Sequence, residues 1–304
     1  MISKKQGIPC AKMKFLLVGV IVLAGAVEPS QAQNYTISDG NSSATVNASI
    51  PGGGTGLIGM NNWSIAGQNQ LNQQWFWYRI DNIGAPFAVN QTIDSLGLAG
   101  TTTYDGTRGL RTTYGVGMPI SVVIDYHITG VTSLKSDIAE SITVNNTTGT
   151  PLSLHFFQYA DLNLAGTAGG DAGVIGVNAF TGLYNTADQV DGTIAFHEAV
   201  ITPGASHAEV SMPPSPISGL IGTATNLNNS TGLTGTGNIA YGFEWDGNGL
   251  GSILLNPGDQ LVISKDKFIN LQTVPEPSSL ALLMLTLGGC GCRRFLRKQP
   301  GAYH

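Results

Sequence analysis

The sequence predicts an all-β protein: one antiparallel β-sandwich or jelly-roll-like domain, flanked by an N-terminal signal peptide and a short C-terminal transmembrane sorting helix. Three observations predict the body. Several short segments alternate apolar and polar residues with the two-residue period of a strand. Glycine, 41 of 304 residues, gathers with Asn, Thr and Ser between those segments, as turn chemistry requires. No heptad, no long Ala/Glu/Lys/Leu/Arg run and no Gly-X-Y period is present, which excludes a coiled coil, a helical solenoid and a collagen. With 42% hydrophobic and 11% charged residues, the chain is also too apolar to be disordered.

In chain order, strands are expected at 44–50, 74–81, 121–128, 138–144, 152–156, 192–198, 206–211, 239–245 and 260–264. In 121–128, Val122, Ile124, Tyr126 and Ile128 share one face, and Asp125 and His127 the other. Ile142 and Val144 alternate with Ser141 and Thr143; Leu152, Leu154 and Phe156 alternate with Ser153 and His155. Pro257-Gly258-Asp259 is a turn signal before the last strand. The stretches 51–62, 163–176 and 218–238 are expected as loops. No 20–50-residue repeat is evident. The expected organisation is a signal peptide at 1–32, the sandwich at 33–273, a sorting segment at 274–298 and a tail at 299–304.

The net charge of −5 conceals a partition: residues 1–32 and 275–304 each carry +3, and the 242 residues between them carry −11. A body this acidic repels phosphate backbones, so no nucleic-acid partner is expected. Phe15 to Val27 is a thirteen-residue apolar run behind lysines, followed by Ser30-Gln31-Ala32, a small-x-small cleavage signal. Thirteen residues span roughly 20 Å as a helix, too short for a bilayer core of about 30 Å. Cleavage is therefore expected between Ala32 and Gln33, with translation starting at Met1 or at Met13. The three cysteines, Cys10, Cys290 and Cys292, all lie outside 33–273, so the body has no thiol nucleophile, disulfide or cysteine zinc site.

Near the other end, Pro275-Glu276-Pro277 leads into the apolar run Leu280 to Leu287 and then the basic cluster Arg293, Arg294, Arg297 and Lys298. This order resembles the PEP-CTERM sorting signal of bacterial exosortase substrates, over about 25 residues. The resemblance implies that Pro275, Glu276 and Pro277 are recognised by a membrane-embedded exosortase-type sorting enzyme. It implies that the apolar run is held in the inner membrane transiently and that the basic cluster is its cytoplasmic stop. Gln299–His304, beyond the basic cluster, depart from the usual pattern. The protein is thus expected to be exported to the cell surface or extracellular space.

Motifs for chemistry are sparse in the body. Gly54, Gly56 and Gly59 match the letters of a dinucleotide fingerprint, but Met60-Asn61-Asn62 follows where an apolar helix is needed. His197-Glu198 begins like a zinc-protease motif, but position 201 is Ile. His197 and His207, with Glu198 or Glu209, are candidate metal ligands on neighbouring strands, and ordinary strand histidines are the preferred reading. Asp246-Gly247-Asn248-Gly249 and Gly169-Gly170-Asp171 offer oxygen ligands in loops, which makes calcium the one candidate cofactor. Trp75-Phe76-Trp77-Tyr78 is the densest aromatic run; Trp75 and Trp77 share one face and Phe76 and Tyr78 the other. Burial of both faces in the core is the preferred reading, and Trp75 and Trp77 as an exposed glycan platform is the alternative.

These observations lead to the expectation of an exported, non-enzymatic surface or matrix protein with no catalytic residues and no metal. The alternative is a carbohydrate-binding sandwich module acting on extracellular polysaccharide, followed by a secreted hydrolase. Pro275 and Pro277 hold Glu276 on a stiff extended segment outside the apolar run. Glu276→Ala is therefore expected to leave the melting temperature unchanged while the exported protein keeps its tail. Intact-mass measurement and thermal melting check this, and a large loss of stability with normal tail removal contradicts it.

Overall fold

Alternating apolar residues with β-branched or aromatic side chains produce strands long enough to pair into two sheets, here described by a computed structural model. The described residues are 33–49, 57–167, 169–212, 220–234, 237–247 and 249–271; the signal peptide, Ala32, the Pro275–Pro277 motif, the apolar run and the basic cluster lie outside them. Among the described residues there is no α-helix, only two short 3-10 turns, and no helix is long and apolar enough to cross a membrane.

The ten-stranded sheet runs β1 (Asn34–Asp39), β2 (Ser42–Asn47), β3 (Gly59–Ile65), β5 (Leu71–Ile80), β11 (Leu152–Leu162), β17 (Ala240–Trp245) and β15 (His207–Ser211). The short β4 (Gln68–Asn69), β6 (Gln91–Thr92) and β18 (Ile253–Leu255) pair off this path. The nine-stranded sheet runs β16 (Gly232–Thr234), β12 (Ala172–Val177), β13 (Tyr184–Asp191), β14 (Ile194–Thr202), β19 (Gln260–Leu271), β10 (Lys135–Asn146), β9 (Ile120–Thr132), β8 (Gly109–Tyr114) and β7 (Leu98–Tyr104). All pairings are antiparallel, so the sandwich expected from the sequence is the fold, with sheets larger than a jelly roll's.

All nine expected strands are present, several of them longer than their alternation indicated. The predicted core face of β9 is fully buried, as are Ile142, Val144, Leu152, Leu154 and Phe156. All three expected loops need correction: 51–62 runs into β3 from Gly59, 163–176 holds most of β12, and 218–238 contains β16. β7 was not expected at all. It is an edge strand with a mostly exposed Gly/Thr sequence, so no apolar alternation announces it. The glycine-rich segment ends in a strand at Gly59–Ile65, and no helix follows, so the fingerprint letters carry no nucleotide site. Gly59 has φ +93°, and a Cβ there would overlap the Gln74 carbonyl and the Trp75 ring; only glycine fits.

Between the sheets the core is not purely apolar. Glu140, Glu198, Lys265 and Lys267 all point inward from the nine-stranded sheet, each no more than 2% exposed. Register places Glu140 opposite Lys265 and Glu198 opposite Lys267. Lys265 Nζ lies 3.0 Å from Glu140 and 3.6 Å from Glu198, and Lys267 pairs with Glu140. The other sheet supplies neutral partners. The Gln74 amide donates to both Glu140 oxygens at 3.0 Å, and the Gln158 amide donates to Glu198 at 2.9 and 3.0 Å. Lys267 donates to Gln74, Lys265 to Gln158, and Tyr241 to Glu198. Burial opposes ionisation of Glu140, but the two lysines outweigh it and hold its carboxyl below the usual range. Removing one member strands the others in a dry interior. Glu140→Ala is therefore expected to lower unfolding free energy by about 3–5 kcal/mol, measured by urea denaturation. A loss under about 1 kcal/mol would contradict this picture.

Candidate functional site

The outward face of the ten-stranded sheet carries the chemistry. On β5, Phe76, Tyr78 and Ile80 face the core, which turns Trp77 and Arg79 outward. On β11, the core set Leu154, Phe156 and Gln158 turns His155, Phe157 and Tyr159 outward. On β17, inward Tyr241, Phe243 and Trp245 leave Glu244 outward, with Asp246 just past the strand end. Register then aligns them: His155 lies opposite Arg79, Phe157 opposite both Trp77 and Glu244, and Glu244 opposite His207 on β15.

His155 sits between two carboxylates. Its Nδ1 is 2.9 Å from Glu244 Oε1 and its Nε2 is 2.9 Å from Asp81 Oδ2. Whichever ring nitrogen carries the proton, a carboxylate accepts it. The Arg79 Nη2 lies 2.8–2.9 Å from the His155 ring nitrogens, and its Nε donates to Asp81 at 2.7 Å. Burial opposes ionisation of Asp81, but Arg79 and His155 outweigh it and hold the carboxyl below its usual range. His207 Nε2 is 3.0 Å from Asp246 Oδ2. Beneath this cluster is an aromatic floor: Trp77 stacks on Phe157 at 5.7 Å, Phe157 on His155 at 6.2 Å, and Tyr159 tilts against Trp77 at 6.2 Å.

A strap at 220–231 closes the face. Asn226 Oδ1 accepts from Arg79 at 2.7 Å, the Leu227 backbone N–H donates to Glu244 Oε2 at 2.8 Å, and Asn229 meets His207 Nδ1 at 3.1 Å. Leu227 packs on Trp77, Phe157 and Tyr159, with Leu220 beside it. Buried polar atoms without a protein partner collect here: Trp77 Nε1, Glu209 Oε1, Ser211 Oγ and Asp246 Oδ1. Burial pushes the Glu209 carboxyl above its usual range, only partly offset by Asn228. The covered face therefore keeps buried donors and acceptors that no protein group satisfies.

Several sequence expectations change. Trp75 and Trp77 share a face but are 3% and 2% exposed, so the open platform is corrected to a covered floor. Trp77 lies under Leu227, while Trp75 packs edge-on against Tyr114 at 6.0 Å. His197 and His207 do not meet: they lie on different sheets, His197 paired with Asp188 at 2.7 Å and Glu198 buried in the core cluster. Asp246, singled out as a calcium turn, instead joins His155 and Glu244; ligand atoms of the three lie within 4.8 Å of one another. The Arg79 guanidinium already places a permanent positive charge there, so this donor set suits proton transfer better than a metal ion. Arg79, Asp81 and Glu244 were not nominated from the sequence; the signal was a charged residue at an outward position of an aromatic strand.

No protein-family model matches the chain, and a comparison with curated proteins finds no match. Among solved structures, a bacterial glucoamylase complexed with acarbose aligns over 85% of this chain with a TM-score of 0.51 and 8% identity. The match spans only 36% of the glucoamylase. A proposed aldose 1-epimerase of Escherichia coli K12 aligns over 79% of this chain and 99% of its own, with a TM-score of 0.50 and 11% identity. At such identities the likeness is one of fold. Both neighbours are described as enzymes, and beside them the buried His–carboxylate cluster overturns the expectation of a non-enzymatic body.

Leu227→Ala should uncover Trp77. Acrylamide quenching of tryptophan fluorescence is expected to rise while the protein stays folded, with a stability loss of about 2 kcal/mol. Unchanged quenching would mean the strap does not cover the floor.

Proposed function

We propose that this chain is an exported carbohydrate-active enzyme that performs acid–base chemistry on a sugar ring at the Asp81–His155–Glu244 cluster. The observation that carries this reading is a titratable triad with an arginine beside it, set on a buried aromatic floor. Sugars present an apolar C–H face and a polar rim; Trp77, Phe157 and Tyr159 match the first, and Arg79, His207 and Glu209 the second. The fold shared with a proposed aldose 1-epimerase supports, by analogy of fold, placing that chemistry at the anomeric centre.

Interconverting anomers needs an acid at the ring oxygen and a base at the anomeric hydroxyl. With the strap lifted, His155 gives its proton to the ring oxygen as Glu244 takes the proton from the hydroxyl on C1. The C1–ring-oxygen bond breaks and a C1 carbonyl forms. Rotation about C1–C2 and reclosure return both protons and yield the other anomer. Asp81 orients the imidazole, and Arg79 holds Asp81 ionised.

Export rests on separate grounds: the lysine-flanked run at 15–27 and the Pro-Glu-Pro tail resembling a PEP-CTERM signal. With them, the reading is of a surface enzyme or glycan-acting module released by an exosortase-type enzyme and working on extracellular sugars.

Anomer exchange followed by NMR on a panel of aldoses, with the full-length protein, tests the acid–base assignment. Glu244→Gln and His155→Ala are each expected to slow exchange by about 10²–10⁴-fold. Oligosaccharide binding without any turnover by the unaltered protein, or variants as active as it, would overturn the reading.

A further inference from the structure

A second polar cluster lies at the end of the sandwich, away from the His155 triad. Asp171, just before β12, is fully buried, and neither of its oxygens has a partner within 3.5 Å, although the Gln189 amide and the Ile239 backbone N–H lie near enough to favour its charged form. Gln189 on β13, opposite Gly173 of β12, is 1% exposed and its side-chain amide is likewise unpartnered. β12 packs here against the segment entering β17, since a Cβ on Gly173 would meet the Ile239 side chain at 3.2 Å. Next to Ile239, Asn238 bonds to Asp161, the last outward carboxylate of β11. Asp161 is 3% exposed; its Oδ2 accepts from Asn72 at 2.8 Å, while its Oδ1 has no partner. Burial first, then Asp191 and, more weakly, Asp161 raise the cost of ionising Asp171.

Four adjoining residues thus present five unpartnered oxygens: Asp171 Oδ1 and Oδ2, Asp161 Oδ1, Gln189 Oε1 and Asn238 Oδ1. No lysine or arginine pairs with either carboxylate among the described residues. Two buried carboxylates without a counter-charge are strongly unfavourable, and either a proton or a cation must balance them. The Thr167 hydroxyl donates at 2.9 Å to Asp191, the carboxylate that most raises the cost of ionising Asp171.

We propose that Asp171, Asp161, Gln189 and Asn238 form a calcium site that ties Asp171, just before β12, to the entry of β17. The set is all oxygen, mixes carboxylate with amide carbonyl, and leaves room in a six-to-eight coordination shell for water, which is the calcium pattern. It contains no nitrogen or sulfur ligand, so a zinc or copper ion is disfavoured. The site is distinct from the His155 triad, touches the aromatic floor only through the Tyr159 hydroxyl, which donates to Asp161 Oδ2 at 3.4 Å, and falls on the Gly169-Gly170-Asp171 segment.

The test is thermal melting of the EDTA-stripped full-length protein, with Ca2+, Mg2+ or neither, and Tb3+ luminescence as a direct binding readout. Calcium in large excess is expected to raise the melting temperature by roughly 5 °C, with Mg2+ much weaker. Asp171→Asn should abolish both the shift and the Tb3+ signal, while Glu244→Gln keeps them, which separates this site from the His155 cluster. The competing counter-ion is a proton. Burial pushes the Asp171 carboxyl up to about 6, so without metal the protein should lose stability as pH rises from about 4 through 6. If calcium gives no shift and only that pH dependence appears, or if Asp171→Asn keeps the full calcium response, the proposal is overturned. Should Asp171→Asn fail to fold, Gln189→Leu takes its place, with the same loss of calcium response expected.

Discussion

The structure hinges on the buried charge cluster between the sheets. Lys265 and Lys267 sit at two consecutive inward positions of β19, where every other inward residue from Leu261 to Leu271 is apolar. They are tolerated because β10 and β14 flank β19 and bring Glu140 and Glu198 directly opposite. Neutralised within one sheet, the cluster still needs hydrogen bonds, and these come from Gln74, Gln158 and Tyr241 of the other sheet. Burying four charges is a poor route to stability as such, but any slip of one sheet over the other would leave charges unpaired. The network therefore acts as a register device: apolar faces alone allow sliding, and this arrangement does not.

That device reaches the functional face through the backbone. Gln74, Gln158 and Tyr241 lie on β5, β11 and β17, the same three strands that carry Arg79, His155 and Glu244 on their opposite faces. Because side chains alternate, fixing the inward residue of a strand fixes the outward residue beside it. A cluster in which His155 must meet two carboxylates at 2.9 Å tolerates little strand displacement. Precision in the site thus comes from polar contacts on the far side of the sheet, and loop geometry contributes mainly Asp81 and the strap.

The sheet pattern was legible in the sequence, since the two-residue period in 121–128, 138–144 and 152–156 states which residues face inward. The site was not legible, for two physical reasons. Its members come from β5, β11 and β17, separated by more than seventy residues, and only the register brings them together. His155 was placed correctly on the outward face of its strand, yet outward here means covered, because the strap removes it from water. The same strap covers Trp77, so the reading with both faces of the aromatic run buried holds and the open platform does not. Charged residues inside β19 broke the expected alternation in a way that, without its partners, resembles an exposed strand.

The strap itself says something about what displaces it. It satisfies Arg79 with an amide carbonyl, Glu244 with a backbone N–H and the aromatic floor with an aliphatic side chain. These are the three kinds of contact that a pyranose ring makes: a hydroxyl oxygen that accepts, a hydroxyl proton that is donated, and a C–H face that stacks. Opening the strap into water exposes Leu227 and breaks those bonds, which is costly on its own. Opening it onto a sugar exchanges each contact for one of the same type, and an exchange of hydrogen bonds is close to neutral. Glu209, Ser211 and Trp77, whose buried polar atoms the strap leaves unfilled, gain partners only in the second case. On the proposed reading, a ligand that carries several hydroxyls around an apolar face replaces all three kinds of strap contact, whereas a simple anion replaces only the one to Arg79 and an aliphatic molecule only the one to the aromatic floor.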